Sequence, residues 1–505
     1  MERPSPAAGH DPAAPAYERH RPEETVLYGV VLSDLETFLA RDRERPLPRF
    51  VEREFRGFLE CGILAHGFLR VHCDACGRDR IVAFSCKGRG FCPSCLGRRM
   101  ADTAAHLVDR VLPEVPVRQW VLTLPFALRY RLAYDAALTS RVLREFVREV
   151  FCSYRRRARR SGPIRRPRGG AVTFIQRFGD ALNLNVHFHT LMLDGVYERY
   201  GEPGMRFRAL PPPEDDEVRR IAERVAGRVA RLMERRGLGT DADPSVADPL
   251  ASAQPRLAGL AADSVRGLAP GGSRPARRGD RIDPEDLSAP PATPRCAAAM
   301  GFTLHADVAV PARDRRRLER LCRYVARPPV ATDRLQRLPD GRLVYRLRHR
   351  WRDGTTQIVF EPHQLLARLV PLIPAPRAHQ VRYHGVLAPC AGWRDRVVPG
   401  GPHPGDAART ARRRNAPDEE AGSSGPAGNS RPLRRYPWAD LLRRVFALDV
   451  LECPDCGGRM RILSAIHPPE ATRAILQCLG LPSRAPPIAP ARPEPEFAEP
   501  APSDW

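Results

Sequence analysis

The chain has 505 residues, with 82 Lys+Arg against 59 Asp+Glu and a formal charge of +23. That length allows about three domains, and the basic excess, carried by arginine with a single lysine at Lys87, favours a polyanion such as nucleic acid as partner. Thirteen cysteines are too sparse for a disulfide scaffold and point to metal binding in a reducing compartment. With no visible signal peptide and no apolar run near the ~18 residues of a membrane span, a cytoplasmic protein is expected.

In chain order, residues 1–24 are Pro/Ala-rich and predicted disordered. Residues 25–112 read as a helical, zinc-binding N-terminal domain: Leu32, Leu35, Phe38 and Leu39 recur at helical spacing, and a cysteine block covers 61–100. A strand is predicted over Trp120–Leu124, stopped by Pro125. Helices follow over 126–160, ending in the basic run Arg155–Arg160. Two further strands, Ala171–Ile175 and Leu182–Val196, flank a turn at Gly179-Asp180-Ala181. Residues 214–236 form one charged helix, and the rest of the stretch 213–300, with little periodicity, reads as a partly disordered insertion. A helix is predicted over Asp314–Arg327, closed by Pro328-Pro329, and a hairpin over Leu343–Leu347 and Thr356–Phe360. The catalytic domain is assigned to 113–400, a linker to 401–431, a small Cys-x-x-Cys module to 432–480 and a disordered tail to 481–505.

Cys73-x-x-Cys76 and Cys92-x-x-Cys95 are fifteen residues apart. Zinc takes four thiolates tetrahedrally, two from each such turn, and the gap lies in the range of a zinc ribbon. Four protein ligands leave no open position, so the role is structural. Cys86 could replace one ligand or serve a second ion with Cys61 or His72. Cys453-Pro-Asp-Cys456 is half a site, to be completed by His467 or Cys478 if it binds zinc at all.

Asn185-Val-His187-Phe-His189 lies in an alternating run. Alternation puts His187 and His189 on one strand face and Phe188 on the other, so two imidazoles can converge on one cation. A polar strand face or a hydrogen-bonded core pair would give the same pattern. Gln176, on the preceding strand, is the third-ligand candidate; Asp194 or a substrate oxygen could take its place.

On the predicted helix 314–327, Leu318, Leu321, Cys322 and Val325 make one apolar stripe. At about 100° per residue, Tyr324 falls off that stripe and shares a face with Arg317, Arg320 and Arg327. A phenol among guanidinium groups is placed to meet phosphate, although a tyrosine on a solvated face fits equally. Phenols ionise near pH 10; a cation on the scissile phosphate and arginines on the developing charge would lower the need for full deprotonation.

Three pieces, in order, resemble the HUH rolling-circle transposases of bacterial insertion sequences, the two-tyrosine group and its single-tyrosine common-region relatives. They are Trp120-Val-Leu-Thr-Leu-Pro125, Leu184-Asn-Val-His-Phe-His-Thr190 with Gln176-Arg-Phe-Gly before it, and Arg323-Tyr-Val-Ala-Arg-Pro-Pro329. Flanking pieces agree: Cys61-Gly-Ile-Leu-Ala-His-Gly-Phe68, Phe91-Cys-Pro-Ser-Cys95 and Val381-Arg-Tyr-His-Gly385. The resemblance covers roughly 25–212 and 301–480. It implies an α+β HUH fold, an antiparallel sheet carrying the histidines with the tyrosine helix alongside. It also implies a catalytic Mg²⁺ or Mn²⁺ at His187, His189 and Gln176, a 5′-phosphotyrosine intermediate at Tyr324, and a structural zinc domain that helps recognise element ends. The two-tyrosine pattern has a second tyrosine four residues earlier; here that position is Arg320. One tyrosine would act twice, or two subunits would share the work. A replication initiator or relaxase would use the same chemistry, but the paired cysteine regions and the lack of a helicase P-loop favour a transposase. A non-catalytic zinc DNA-binding remnant is the third reading.

Overall fold

The computed structural model describes residues 19–201, 204–238, 248–270, 272–279, 293–399, 436–446 and 448–493. The expected linker 401–431 and most of the tail 1–24 lie outside the described residues. The fold is mixed: helices and antiparallel sheets, divided into two units.

The smaller unit joins Leu59–Cys86 to 436–486, together with 19–25, among the described residues. The Cys-x-x-Cys stretch near 453 is therefore no separate module, as the sequence suggested. Its strand Met460–Ile466 pairs antiparallel with Phe68–Cys73, which in turn pairs with Asp79–Ala83. The reason is complementary apolar faces that neither segment can bury alone. Val71, Cys73, Cys453 and Met460 form one small cluster, and Leu64, Phe68 and Leu476 another.

The larger unit holds the rest, including residues 26–58, which were expected to fold with the cysteine block. Its central sheet runs, edge to edge, Val381–Gly385, Gly170–Phe178, Leu184–Leu193, Val117–Thr123, Phe302–His305, Cys296–Ala299, with Ala309–Val310 also on Val117–Thr123. Alternation sorts its side chains. Trp120, Leu122, Val186 and Phe188 face one core with the helices Ala136–Arg160 and Asp215–Glu234. Val117, Val172, Phe174, Leu191 and Leu193 face the other, with the helices Pro93–Arg110 and Arg315–Val325. The predicted hairpin is present as Leu343–Arg346 and Thr355–Phe360. The insertion is more ordered than its composition suggested: Pro255–Arg266 is a helix, and its Ser264 hydroxyl accepts the Leu184 N–H at 2.8 Å. Residues 239–247 and 280–292 of the insertion lie outside the described residues. Among the described residues, no helix is long and apolar enough to cross a membrane.

One buried ion pair locks the sheet. The Arg118 guanidinium lies 2.8 Å from Asp194, which also accepts the Tyr154 hydroxyl at 2.9 Å; Tyr154 in turn accepts the Trp120 indole N–H at 3.2 Å. Arg118→Ala would leave a buried carboxylate without its counter-charge. We expect a loss of about 3–5 kcal/mol, read as a lower denaturation midpoint with an unchanged denaturant slope. A loss under about 1 kcal/mol would mean that the pair is solvated.

Candidate active site

The histidine strand Leu184–Leu193 lies between Gly170–Phe178 and Val117–Thr123. His187 and His189 fall on the face that packs against the tyrosine helix, with Phe188 in the opposite core, as alternation predicts. Register puts Gln176 directly across from His187. The two imidazoles are 4.8 Å apart between ring centroids, and both are buried.

Each imidazole is held by its inner nitrogen. His187 Nδ1–H donates to the Asn185 carbonyl at 2.8 Å, which leaves the Nε2 lone pair facing out. His189 Nδ1 is 2.7 Å from the carboxamide of Gln119, and its Nε2 is buried without a partner among the described residues. Gln176 donates its amide N–H to the Val325 carbonyl at 2.6 Å, while its Oε1 is likewise buried and unpartnered. Buried polar atoms are rarely left unsatisfied. Two orphaned atoms beside a third free nitrogen make a donor set suited to a cation. Asp194, the alternative ligand, is committed to Arg118 and Tyr154 and stands five residues beyond His189, roughly 16 Å along the strand.

The tyrosine helix Arg315–Val325 starts where Asp314 accepts the Arg317 N–H at 2.9 Å and stops before Pro328-Pro329. Leu318, Leu321, Cys322 and Val325 are buried, as the stripe requires. Arg315 anchors the helix by donating to the carbonyls of Val108, in the last turn of Pro93–Arg110, and of Leu112 and Pro113 just past it. Tyr324 is 36% exposed and meets His189 edge-on, ring centroids 6.0 Å apart. The guanidinium of Arg327 lies 4.5 Å over its ring and that of Arg348 4.9 Å. Arg320 and Arg317 are exposed on the same helix face, one and two turns back. Sequence reasoning missed Gln119 and Arg348. Gln119 was findable, being two residues from Val121 in the alternation that faces His189; Arg348 arrives from a remote hairpin and left no local signal.

Burial holds the His187 imidazole down at about 4, with Arg327 and Arg129 adding to the effect, and holds His189 well below its ordinary value. Both are neutral at pH 7, as ligation requires. An unfolded histidine titrates near 6.5, so between about 4 and 6.5 the unfolded chain binds more protons and stability rises with pH. We expect the melting temperature without added divalent cation to be level above about pH 6.5 and to fall towards pH 4. His187→Gln should show a shallower fall; an equal fall would remove this histidine from the account.

The cysteines group differently from the sequence expectation. Cys73 and Cys76 are not joined by Cys92 and Cys95; they meet Cys453 and Cys456, and the four sulfurs lie within 4.8 Å of one another. Cys73 Sγ is 3.5 Å from Cys456 Sγ, and Cys76 Sγ is 3.5 Å from Cys453 Sγ. Tetrahedral zinc with bonds of ~2.3 Å places sulfurs about 3.8 Å apart, so the set fits. The two halves are the same turn twice. Gly77 N–H bonds the Cys73 carbonyl and Gly457 N–H the Cys453 carbonyl, each glycine at positive φ, +75° and +70°. The thiols act on one another: the backbone N–H of Asp455 helps to hold Cys453 down at about 7, while the neighbouring thiols push Cys76 up to about 12 and help to raise Cys456. His467 stacks on Phe84 instead, His72 pairs with Asp79, and Cys478 is exposed. Cys86 lies with Cys61 in the smaller unit, their sulfurs within 4.8 Å. Cys92 and Cys95, in the larger unit, open the helix Pro93–Arg110 at similar separation. None of the thirteen cysteines is disulfide-bonded.

Residues 170–394 match the family model described as "Putative transposase", and residues 31–124 match the "Transposase zinc-binding domain". These matches support an insertion-sequence transposase. The first spans Gln176, His187, His189 and Tyr324; the second spans Cys61 to Cys95 but not Cys453 or Cys456. No match was found among curated proteins or solved structures. The two family matches support a DNA-processing enzyme of transposase function, and the cysteine sets suit structural zinc.

Proposed function

We propose that the transposase is of the HUH rolling-circle type and nicks and rejoins single-stranded DNA through Tyr324. The observation that carries the reading is an exposed phenol, edge-on to His189, beside a buried set of neutral ligands. His187 and His189 through Nε2, and Gln176 through Oε1, would hold a divalent cation. Three uncharged ligands leave its charge to be met by DNA phosphate, and two imidazoles favour Mn²⁺ over Mg²⁺. When bound, the cation polarises the scissile phosphate.

The chain's own residues do the rest. The Tyr324 oxygen forms a bond to phosphorus as the bond to the 3′-oxygen breaks. The phenolic proton passes to water and the leaving 3′-oxygen takes one up, giving a 5′-phosphotyrosine and a free 3′-hydroxyl. The phosphoester is conserved, so a second hydroxyl reverses the step without ATP. The guanidinium groups of Arg327 and Arg348 lie over the Tyr324 ring and draw an anionic strand towards it. Gln119 orients the His189 ring through its amide nitrogen, 2.7 Å from Nδ1; for Nε2 to bind the cation, the amide would turn so that its oxygen accepts Nδ1–H. With Arg320 where a second tyrosine would stand, Tyr324 acts twice or two subunits each supply one.

The test is incubation of the chain with labelled single-stranded DNA from an element end. A covalent protein–DNA adduct should form with Mn²⁺, disappear with chelator, and in His187→Ala fall sharply or need far more Mn²⁺. Cleavage of duplex alone, or an adduct indifferent to chelator, would defeat the proposal.

A further inference from the structure

Beside Tyr324 lies a cavity of about 250 Å³ that neither the tyrosine nor the histidines line. Its wall is the turn Phe178-Gly179-Asp180, Pro329 and three arginines, Arg327, Arg334 and Arg348. We propose that these arginines form a subsite for a DNA backbone phosphate next to the one Tyr324 attacks. The inference rests on the tyrosine-nicking reading and adds to it where the strand runs.

Two of the three arginines stack on the Tyr324 ring, at 4.5 and 4.9 Å, so the cavity is tied to the nucleophile. Its lining excludes Tyr324, His187 and His189. A phosphate bound there is therefore a neighbour of the reacting one on the same strand. The charge balance requires an anion. Three guanidinium groups face one carboxylate, and Asp180 is already used: one oxygen lies 3.5 Å from the Arg334 guanidinium, the other accepts the backbone N–H of Arg348 at 3.0 Å. Two positive charges are left over. Arg327 Nη1 is buried without a partner among the described residues, a donor that a phosphate oxygen would satisfy. The arginines are also propped for the task, Arg327 against Phe178 at 5.4 Å and Arg334 against Tyr345 at 5.0 Å, so little side-chain freedom is lost on binding.

The test uses the full chain carrying Tyr324→Phe, so that binding is read without cleavage. Affinity for a single-stranded oligonucleotide is measured by fluorescence anisotropy against salt. Arg334→Gln and Arg348→Gln should each weaken binding several-fold and lower the slope of log K against log salt by about 0.7. Arg348→Lys, which keeps the charge, should restore the slope. A single uncharged methylphosphonate is then walked along the strand. At the phosphate adjoining the cleavage point its effect should shrink in Arg348→Gln, because one of the contacts is already gone. Unchanged slopes in both glutamine variants would overturn the subsite. So would additive effects at every position, or coupling at the scissile phosphate itself. Failure of adduct formation by the Tyr324 chain, with these slopes intact, would count against the nicking reading alone.

Discussion

Tyr324→Phe is expected to form no covalent adduct, with yield below about a thousandth of the parent chain, while binding single-stranded DNA within about twofold. The substitution removes one oxygen and keeps the ring. The edge-on contact with His189 and the guanidinium faces of Arg327 and Arg348 depend on that ring, so the helix and the basic surface stay as they are. The buried residues of the helix, Leu318, Leu321, Cys322 and Val325, are untouched. Stability and DNA affinity thus serve as internal controls, read by melting temperature and anisotropy. A phenylalanine chain that still formed adduct would move the nucleophile elsewhere.

Cys453→Ser should be the most damaging substitution for the smaller unit. It removes one sulfur from the set that joins two segments lying 377 residues apart in sequence. The apolar clusters there are small, Val71, Cys73, Cys453 and Met460 in one and Leu64, Phe68 and Leu476 in the other. So little buried surface cannot hold a three-stranded sheet by itself, whereas structural zinc supplies about 10–16 kcal/mol in small domains. The expected result is loss of one zinc equivalent, and loss of amide-exchange protection in both 66–86 and 448–480. Residues 113–399, with their own cores, should keep theirs. Cys478→Ser, at an exposed position outside the set, should change neither quantity. Retained zinc and retained protection in Cys453→Ser would break the four-sulfur assignment.

What was legible in the sequence is what short-range periodicity encodes. Alternation over 184–193 placed both histidines on one face, and the 3.6-residue stripe over 315–325 placed Tyr324 off the core. Both positions follow from the pitch of the element. The zinc pairing failed for the converse reason. Two Cys-x-x-Cys turns fifteen residues apart look like partners, but the mate of Cys73–Cys76 comes from a strand, Met460–Ile466, that only tertiary folding brings alongside. The insertion misled because an alanine-rich helix such as Pro255–Arg266 carries a weak apolar stripe, Leu257, Ala258, Ala261 and Val265. Arg334 precedes the hairpin and Arg348 lies in its loop, and no local pattern announces that either reaches the tyrosine helix.

The central claim is that Tyr324 is the atom-to-atom link between protein and DNA. Mass spectrometry of the proteolysed adduct tests it most directly. The account predicts a nucleotide mass on the peptide that carries Tyr324, with the DNA attached through its 5′-phosphate and a free 3′-hydroxyl on the released strand. A nucleotide on any other residue, or strand cleavage that leaves no residue modified, would contradict it.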